Sequence, residues 1–245
     1  MAEYNDHLVL IAGASASGKS ASLMTLENQA GVMYLNCESG KKLPFPNKFL
    51  KLTVTDPLQV LEAFDEAENM PEIHTIVVDS ITFLMDLFES IYVIGSANTM
   101  NGWAQYNQFF KTLMQDKVAK STKRVIMTAH TLTTLNENEM VMETKVPIKG
   151  ALKNNGIEAY FSCVVYAKKM QLKNLKDYEN GLLVITPEEE LVGYKHVFQT
   201  SITKDTVHER IRSPRFMWKT NESFIDNDVQ KLLQRIEEYY ADDSE

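Results

Sequence analysis

Gly13-Ala14-Ser15-Ala16-Ser17-Gly18-Lys19-Ser20 fits G-x-x-x-x-G-K-[ST], the phosphate-binding loop. The context agrees with the motif. His7-Leu8-Val9-Leu10-Ile11-Ala12 reads as a buried strand running into the loop. Ala21 to Asn28 reads as a helix running out of it, stopped by Gly31. Glycine at 13 and 18 permits backbone geometry that a side chain would obstruct. Successive N–H groups then face one cavity, and the helix N-terminus adds positive potential. The phosphate-contacting set is therefore Gly13, Ala14, Ser15, Ala16, Ser17, Gly18, Lys19, Ser20 and Ala21. Lys19 would reach the outer phosphates of a nucleotide, and the Ser20 hydroxyl would sit on Mg²⁺.

A second decisive stretch is Thr75-Ile76-Val77-Val78-Asp79-Ser80. It is a β-branched apolar run ending in an acid, the pattern of a parallel strand buried on both faces. Asp79 at its end suits a metal shared with Ser20. Val32-Met33-Tyr34-Leu35-Asn36-Cys37 is another strand, and it delivers Glu38 to the side of the sheet where ligands collect. A carboxylate there is placed to deprotonate an attacking water. Val125-Ile126-Met127-Thr128-Ala129 is a further strand, ending at His130, which faces the same side and is a candidate γ-phosphate sensor.

The intervening segments are less sharply written. Phe49 to Val54 reads as a strand. Asp56 and Pro57 then open a helix whose apolar face is Leu58, Leu61 and Phe64. Ile81 to Ile94 and Trp103 to Lys117 read as helices, separated by a polar loop at 95–102. Residues 132–149 lack clear periodicity and read as a long functional or mobile loop. Lys145, Lys149 and Lys153 cluster around Gly150. Ala159 to Ala167 is a strand, followed by a basic and polar stretch to Asn180. Residues 181–185 and 196–203 are expected to pair as an antiparallel extension, with Pro187 to Glu190 in the connection. Arg210, Arg212 and Arg215 fall together in a chain with only five arginines. With Lys204 they are candidate cationic fingers toward a neighbouring subunit's nucleotide. A final amphipathic helix spans about 226–240, capped by Asp226, before the acidic tail 241–245.

Bulk properties bound the alternatives. At 245 residues, 44% apolar and 24% charged, one domain over 1–245 with a sizeable core is the default. No apolar run approaches a membrane span, and the first six residues lack the basic and apolar regions of a signal peptide. Two cysteines in apolar strands and five scattered histidines indicate neither a disulfide framework nor a metal cluster, which points to a reducing cytoplasm. The net charge of −8 argues against indiscriminate nucleic-acid binding but leaves room for a local basic groove.

With these features in order, residues 6 to about 220 resemble the RecA-type ATPase core. Within it, the chain is most similar to the short phage-encoded RecA-like proteins of single-strand annealing and recombination. Asn36-Cys37-Glu38 stands where that family has its strand-end catalytic glutamate, and Val77-Val78-Asp79-Ser80 matches its magnesium strand. Thr128-Ala129-His130 stands at its polar sensor, and Ile148-Lys149-Gly150-Ala151-Leu152 resembles the end of its second DNA loop. Thr203-Lys204-Asp205 resembles its late lysine segment, and 95–102 would be the first DNA loop. The resemblance implies an α/β P-loop NTPase fold: a mainly parallel central sheet, helices on both faces and a small antiparallel extension near the C-terminus. It implies ATP and Mg²⁺ as cofactors, with Glu38, Lys19, His130, Lys204, Arg210 and Arg212 in catalysis. It also implies single-stranded DNA as partner, held by Lys145, Lys149 and Lys153. A homo-oligomer with ATP between subunits is expected, with a single-strand-binding protein as a further partner and the cytoplasm of an infected bacterial host as the location.

Three departures matter. The first strand starts too early for the polymerising N-terminal segment of larger recombinases, which argues against a RecA-style filament. Residues 95–102 carry no Lys or Arg, and the sensor is His rather than Gln. Competing readings are a small-molecule kinase, an ATP-gated annealing or assembly module with slow hydrolysis, and a hexameric helicase-type motor.

Overall fold

Leu8–Gly13 forms β1, with all six residues buried. The structure is a computed structural model that describes residues 5–137 and 139–242. The first four residues and the end of the acidic tail, 243–245, lie outside that range. After β1 come α1 (Lys19–Ser22), β2 (Val32–Asn36), β3 (Leu50–Thr53), α2 (Leu58–Glu68) and β4 (Thr75–Asp79). Next are α3 (Ile81–Phe88), α4 (Thr99–Thr112), β5 (Arg124–His130), β6 (Leu132–Asn136) and β7 (Val141–Lys145). Then follow β8 (Cys163–Gln171), α5 (Pro187–Val192), β9 (Tyr194–Gln199), β10 (Phe224–Asp226) and α6 (Val229–Asp242).

Eight strands make one sheet in the order β10-β9-β8-β1-β5-β4-β2-β3. From β3 to β8 all neighbours are parallel, while β9 and β10 add antiparallel strands. Period-2 alternation sends the side chains of β1 to two cores. Leu8, Leu10 and Ala12 pack with Val60, Phe64, Leu84 and Phe110 on one face. Val9 and Ile11 pack with Leu23, Leu232, Leu233 and Ile236 on the other. The α/β fold with a mainly parallel sheet, helices on both faces and an antiparallel extension is therefore observed.

Several local expectations need correction. The helix after the phosphate loop is only four residues long, followed by a 3₁₀ turn at Leu23–Thr25 and extended backbone at Leu26. Asn28 is left-handed at φ 48°. The apolar face left over is covered by α6, which reaches it from the other end of the chain. The loop after α3 is shorter than 95–102, because Asn98 accepts a bond from the Asn101 N–H and starts α4 at Thr99. Residues 132–149 are not one structureless loop. Residues of β6 and β7 pair antiparallel as a separate hairpin, whose polar, half-exposed strands hide the period of a buried sheet.

The strand expected at 159–167 begins at Cys163 and runs on to Gln171. Its second half carries polar residues because it borders β9 beyond the parallel core. Residues 181–185 form no strand. The Thr186–Glu189 capping box starts α5 where a connection was expected, and β9 pairs instead with β8 and β10. Asp226 ends β10, and Asp228 accepts the Lys231 N–H as cap of α6, so the helix starts at 229 rather than 226. In α2 the buried residues are Val60, Ala63, Phe64 and Ala67, whereas Leu58 is exposed. Among the described residues, no helix is long and apolar enough to cross a membrane.

Both cysteines are free and buried. Burial pushes the Cys37 thiol far up and the Cys163 thiol to about 12, so neither is a ready thiolate. A thiol-specific disulfide reagent should label neither in the native protein at mildly alkaline pH and both after unfolding. Fast native labelling of either would contradict the buried strand ends.

Candidate functional site: a phosphate cradle at the strand ends

The loop between β1 and α1 carries its chemistry in its backbone. Ala16 (φ 59°) and Gly18 (φ 102°) are left-handed, the geometry from which anion-binding nests are built. A Cβ on Gly13 would lie 2.5 Å from the Ala167 carbonyl and 2.6 Å from Ser17 Oγ, so only glycine fits there. Lys19 is buried, and its Nζ donates to the carbonyls of Gly13 and Ala14 at 2.8 Å each. Burial pushes its pKa down to about 8, against the opposing pull of the Asp79 and Glu38 carboxylates. A phosphate would restore the full charge on this ammonium.

A cavity of about 490 Å³ opens above the loop. Ser15 to Ala21 line it together with Glu38, Asp79 and His130. Gly13 and Ala14 lie beneath, as the acceptors for Lys19. Strands β1, β2, β4 and β5 thus bring together residues spread over more than a hundred positions of sequence.

Asp79 is buried, and hydroxyls hold both of its oxygens. Thr128 donates to Oδ1, and Tyr34 donates to Oδ2 at 2.7 Å. Burial, then the Asp79 charge, pushes the Tyr34 phenol far up, so it acts here only as a donor. Glu38 is held as closely: His130 Nε2 lies 3.2 Å from Oε1, and Lys41 Nζ lies 3.1 Å from Oε2. Burial alone would raise the Glu38 pKa, but the bonds from His130 and Lys41 outweigh it and hold the carboxyl below its ordinary range. Sequence gave Glu38 and His130 separate parts; the fold couples them directly.

The donor set suits a hard cation that arrives with a nucleotide. Among the described residues no three His, Cys, Asp or Glu side chains cluster to hold a metal by themselves. Mg²⁺ needs no such cage, because it is commonly held by one or two protein oxygens plus phosphates and water. Ser20 and Asp79 line the same cavity and are of that kind.

Other expected residues lie elsewhere. Lys204, Arg210 and Arg212 are not among the lining residues of the cavity. Arg210 is tied within its own chain, to Glu143 at 2.8 Å and to the buried Glu158 at 3.7 Å. Lys204 and Arg212 are exposed, and no described side chain pairs with either. Lys145, Lys149 and Lys153 do come together, with Trp103, Ile148 and Arg210, along a second groove of about 660 Å³. Two of these lysines carry intrachain partners, Glu143 at 2.7 Å and Glu89 at 2.5 Å.

Reading the sequence missed the polar lining residues Tyr34, Lys41, Lys42, His196 and Asn227, along with the apolar Met24, Leu43 and Pro44. Tyr34 was visible as a polar tip in a mostly apolar strand, but its target depends on β2 lying beside β4. His196 and Asn227 arrive from the far end of the chain and carry no local signal.

Gly18→Ala tests the cradle. The new side chain would be forced into a left-handed backbone, with its Cβ 2.7 Å from Asn227 Nδ2 and 3.1 Å from His196 Nδ1. We expect loss of binding of a fluorescent ATP analogue with an unchanged circular dichroism spectrum. Undiminished binding would mean that the loop geometry is not what holds phosphate.

No curated protein matches the chain. A family model described as AAA domain matches residues 6–207, from just before β1 to beyond β9. The chain belongs to this AAA domain family of P-loop ATPase type.

Proposed function

We propose that the chain is a Mg²⁺-dependent ATPase that acts on single-stranded DNA, in strand annealing or recombination, as an oligomer with ATP at subunit interfaces. One observation carries the reading: Lys19, Ser20, Glu38, Asp79 and His130 line a single cavity over a left-handed glycine loop. Lys19 would leave the Gly13 and Ala14 carbonyls for the outer phosphates of the nucleotide. Bound Mg²⁺, held by Ser20 and Asp79, would supply charge neutralisation at the phosphate oxygens. Tyr34 and Thr128 keep the Asp79 carboxylate aimed.

Glu38 accepts the proton of the attacking water. In the structure His130 and Lys41 each engage one of its oxygens, and each oxygen keeps a second lone pair that the water can reach. His130 is then the natural reporter, since the next residues of the chain enter the β6–β7 hairpin beside the lysine groove. Lys204 and Arg212, exposed and unpaired by side chains, are the fingers offered to a neighbouring subunit. DNA would lie along the Lys145, Lys149 and Lys153 groove, with Trp103 at its wall. The kinase reading loses support because, among the described residues, no arginine lines this cavity.

The decisive experiment is steady-state ATP hydrolysis with and without single-stranded DNA, using Lys19→Ala as the blank. We expect turnover to rise with DNA and the stimulation to fade as salt rises, as phosphate-dominated binding requires. Hydrolysis indifferent to DNA would remove the coupling and leave the ATPase. Glu38→Gln should lower turnover by at least about a hundredfold, the scale of a lost general base, while ATP still binds. Turnover within a few-fold of the parent would remove Glu38 from the chemistry.

A further inference from the structure

The cavity has a wall that the phosphate-loop motif does not supply. Asn227, between β10 and α6, donates through Nδ2 to the Gly18 carbonyl at 2.9 Å. His196, on β9, places Nδ1 2.9 Å from the Ser17 carbonyl. A carbonyl only accepts, so Nδ1 carries the proton. Two consecutive carbonyls of the loop are thus engaged by side chains from the C-terminal part of the chain. That leaves the N–H side of the same peptides free to face phosphate.

Two further bonds extend the attachment. Gln230 N–H donates to Thr25 Oγ1 at 3.3 Å, and Glu27 N–H donates to the Gln230 side chain at 3.2 Å. The segment 227–230 therefore follows the loop and its short helix for a full turn. Among the described residues Asn227 Oδ1 is buried with no hydrogen-bond partner, so the Gly18 bond is the one its side-chain amide makes there. The match to the AAA domain ends at residue 207, and Asn227 lies beyond it.

We propose that His196 and Asn227 are positioning residues for the phosphate loop, which makes the C-terminal segment a structural part of the nucleotide site. The inference rests on the reading that this cavity binds ATP. Without the two donors, the Ser17 carbonyl loses its His196 partner and the Gly18 carbonyl keeps the Ser22 N–H at 2.9 Å, so the cradle is held less firmly before phosphate enters.

The test measures ATP-analogue affinity by fluorescence titration, alongside the melting temperature of the nucleotide-free protein. Asn227→Ala and His196→Ala should each raise Kd by roughly three- to tenfold, the scale of one hydrogen bond. His196→Asn keeps a donor near the Nδ1 position and should recover most of the loss, which a merely structural role would not predict. Ile236→Val, in the α6 core away from the loop, should lower the melting temperature without changing Kd. The proposal fails if the alanine variants bind as the parent does, or if Kd follows melting temperature across all four variants. Parent protein that binds no better than Lys19→Ala would instead remove the ATP reading itself.

Discussion

Strand register is the constraint on which this site depends. β1 and β5 are aligned so that Gly13 lies opposite His130, and β2 and β4 so that Asn36 lies opposite Asp79. A slip of one residue would exchange the faces of every side chain in a strand and move its terminal group out of line. The slip is resisted because the strands are buried on both faces, so each residue has an assigned place in one of two cores. The apolar interior thereby fixes the positions of polar groups that contribute nothing to it. Lys19, Glu38, Asp79 and His130 are brought to one edge by the packing of residues such as Leu10, Leu35, Val78 and Met127.

The same edge concentrates charge of both signs. Asp79, Glu38 and Lys19 share a cavity wall, and each is engaged by the protein: Asp79 by two hydroxyls, Glu38 by two nitrogens, Lys19 by two carbonyls. Buried polar groups left unpaired are costly, so a cavity waiting for a charged ligand is stable only if its groups have interim partners. Ligand entry then exchanges one set of bonds for another and leaves no charge stranded. The difference between the two sets, rather than their sum, decides affinity.

How much of this could be read from the chain varies with distance. The glycine loop, Asp79 and the parallel strands were legible because each is a local pattern: a spacing, an apolar run, an acid at its end. The positions of Glu38 and His130 followed from strand order, but their mutual bond did not, because it spans two strands that are not neighbours. The hairpin at β6–β7 was read as a loop because its strands face solvent and lack an apolar alternation. Nothing near Arg210 in sequence shows that it is pinned by Glu143 and Glu158, partners 67 and 52 positions away. The shortness of α1 was invisible because Ala21 to Leu26 has helix-compatible composition, while the contacts with α6 that this segment makes come from the far end of the sequence.

That docking has a consequence for the order in which the molecule is built. The motif is made well before the elements that back it, β9, β10 and α6. A nascent chain emerging from the ribosome holds its phosphate loop without a back wall until some 200 further residues have followed. Contacts of such separation form late and slowly. A fragment cut short before β10 would therefore carry the motif without Asn227 and α6 against it.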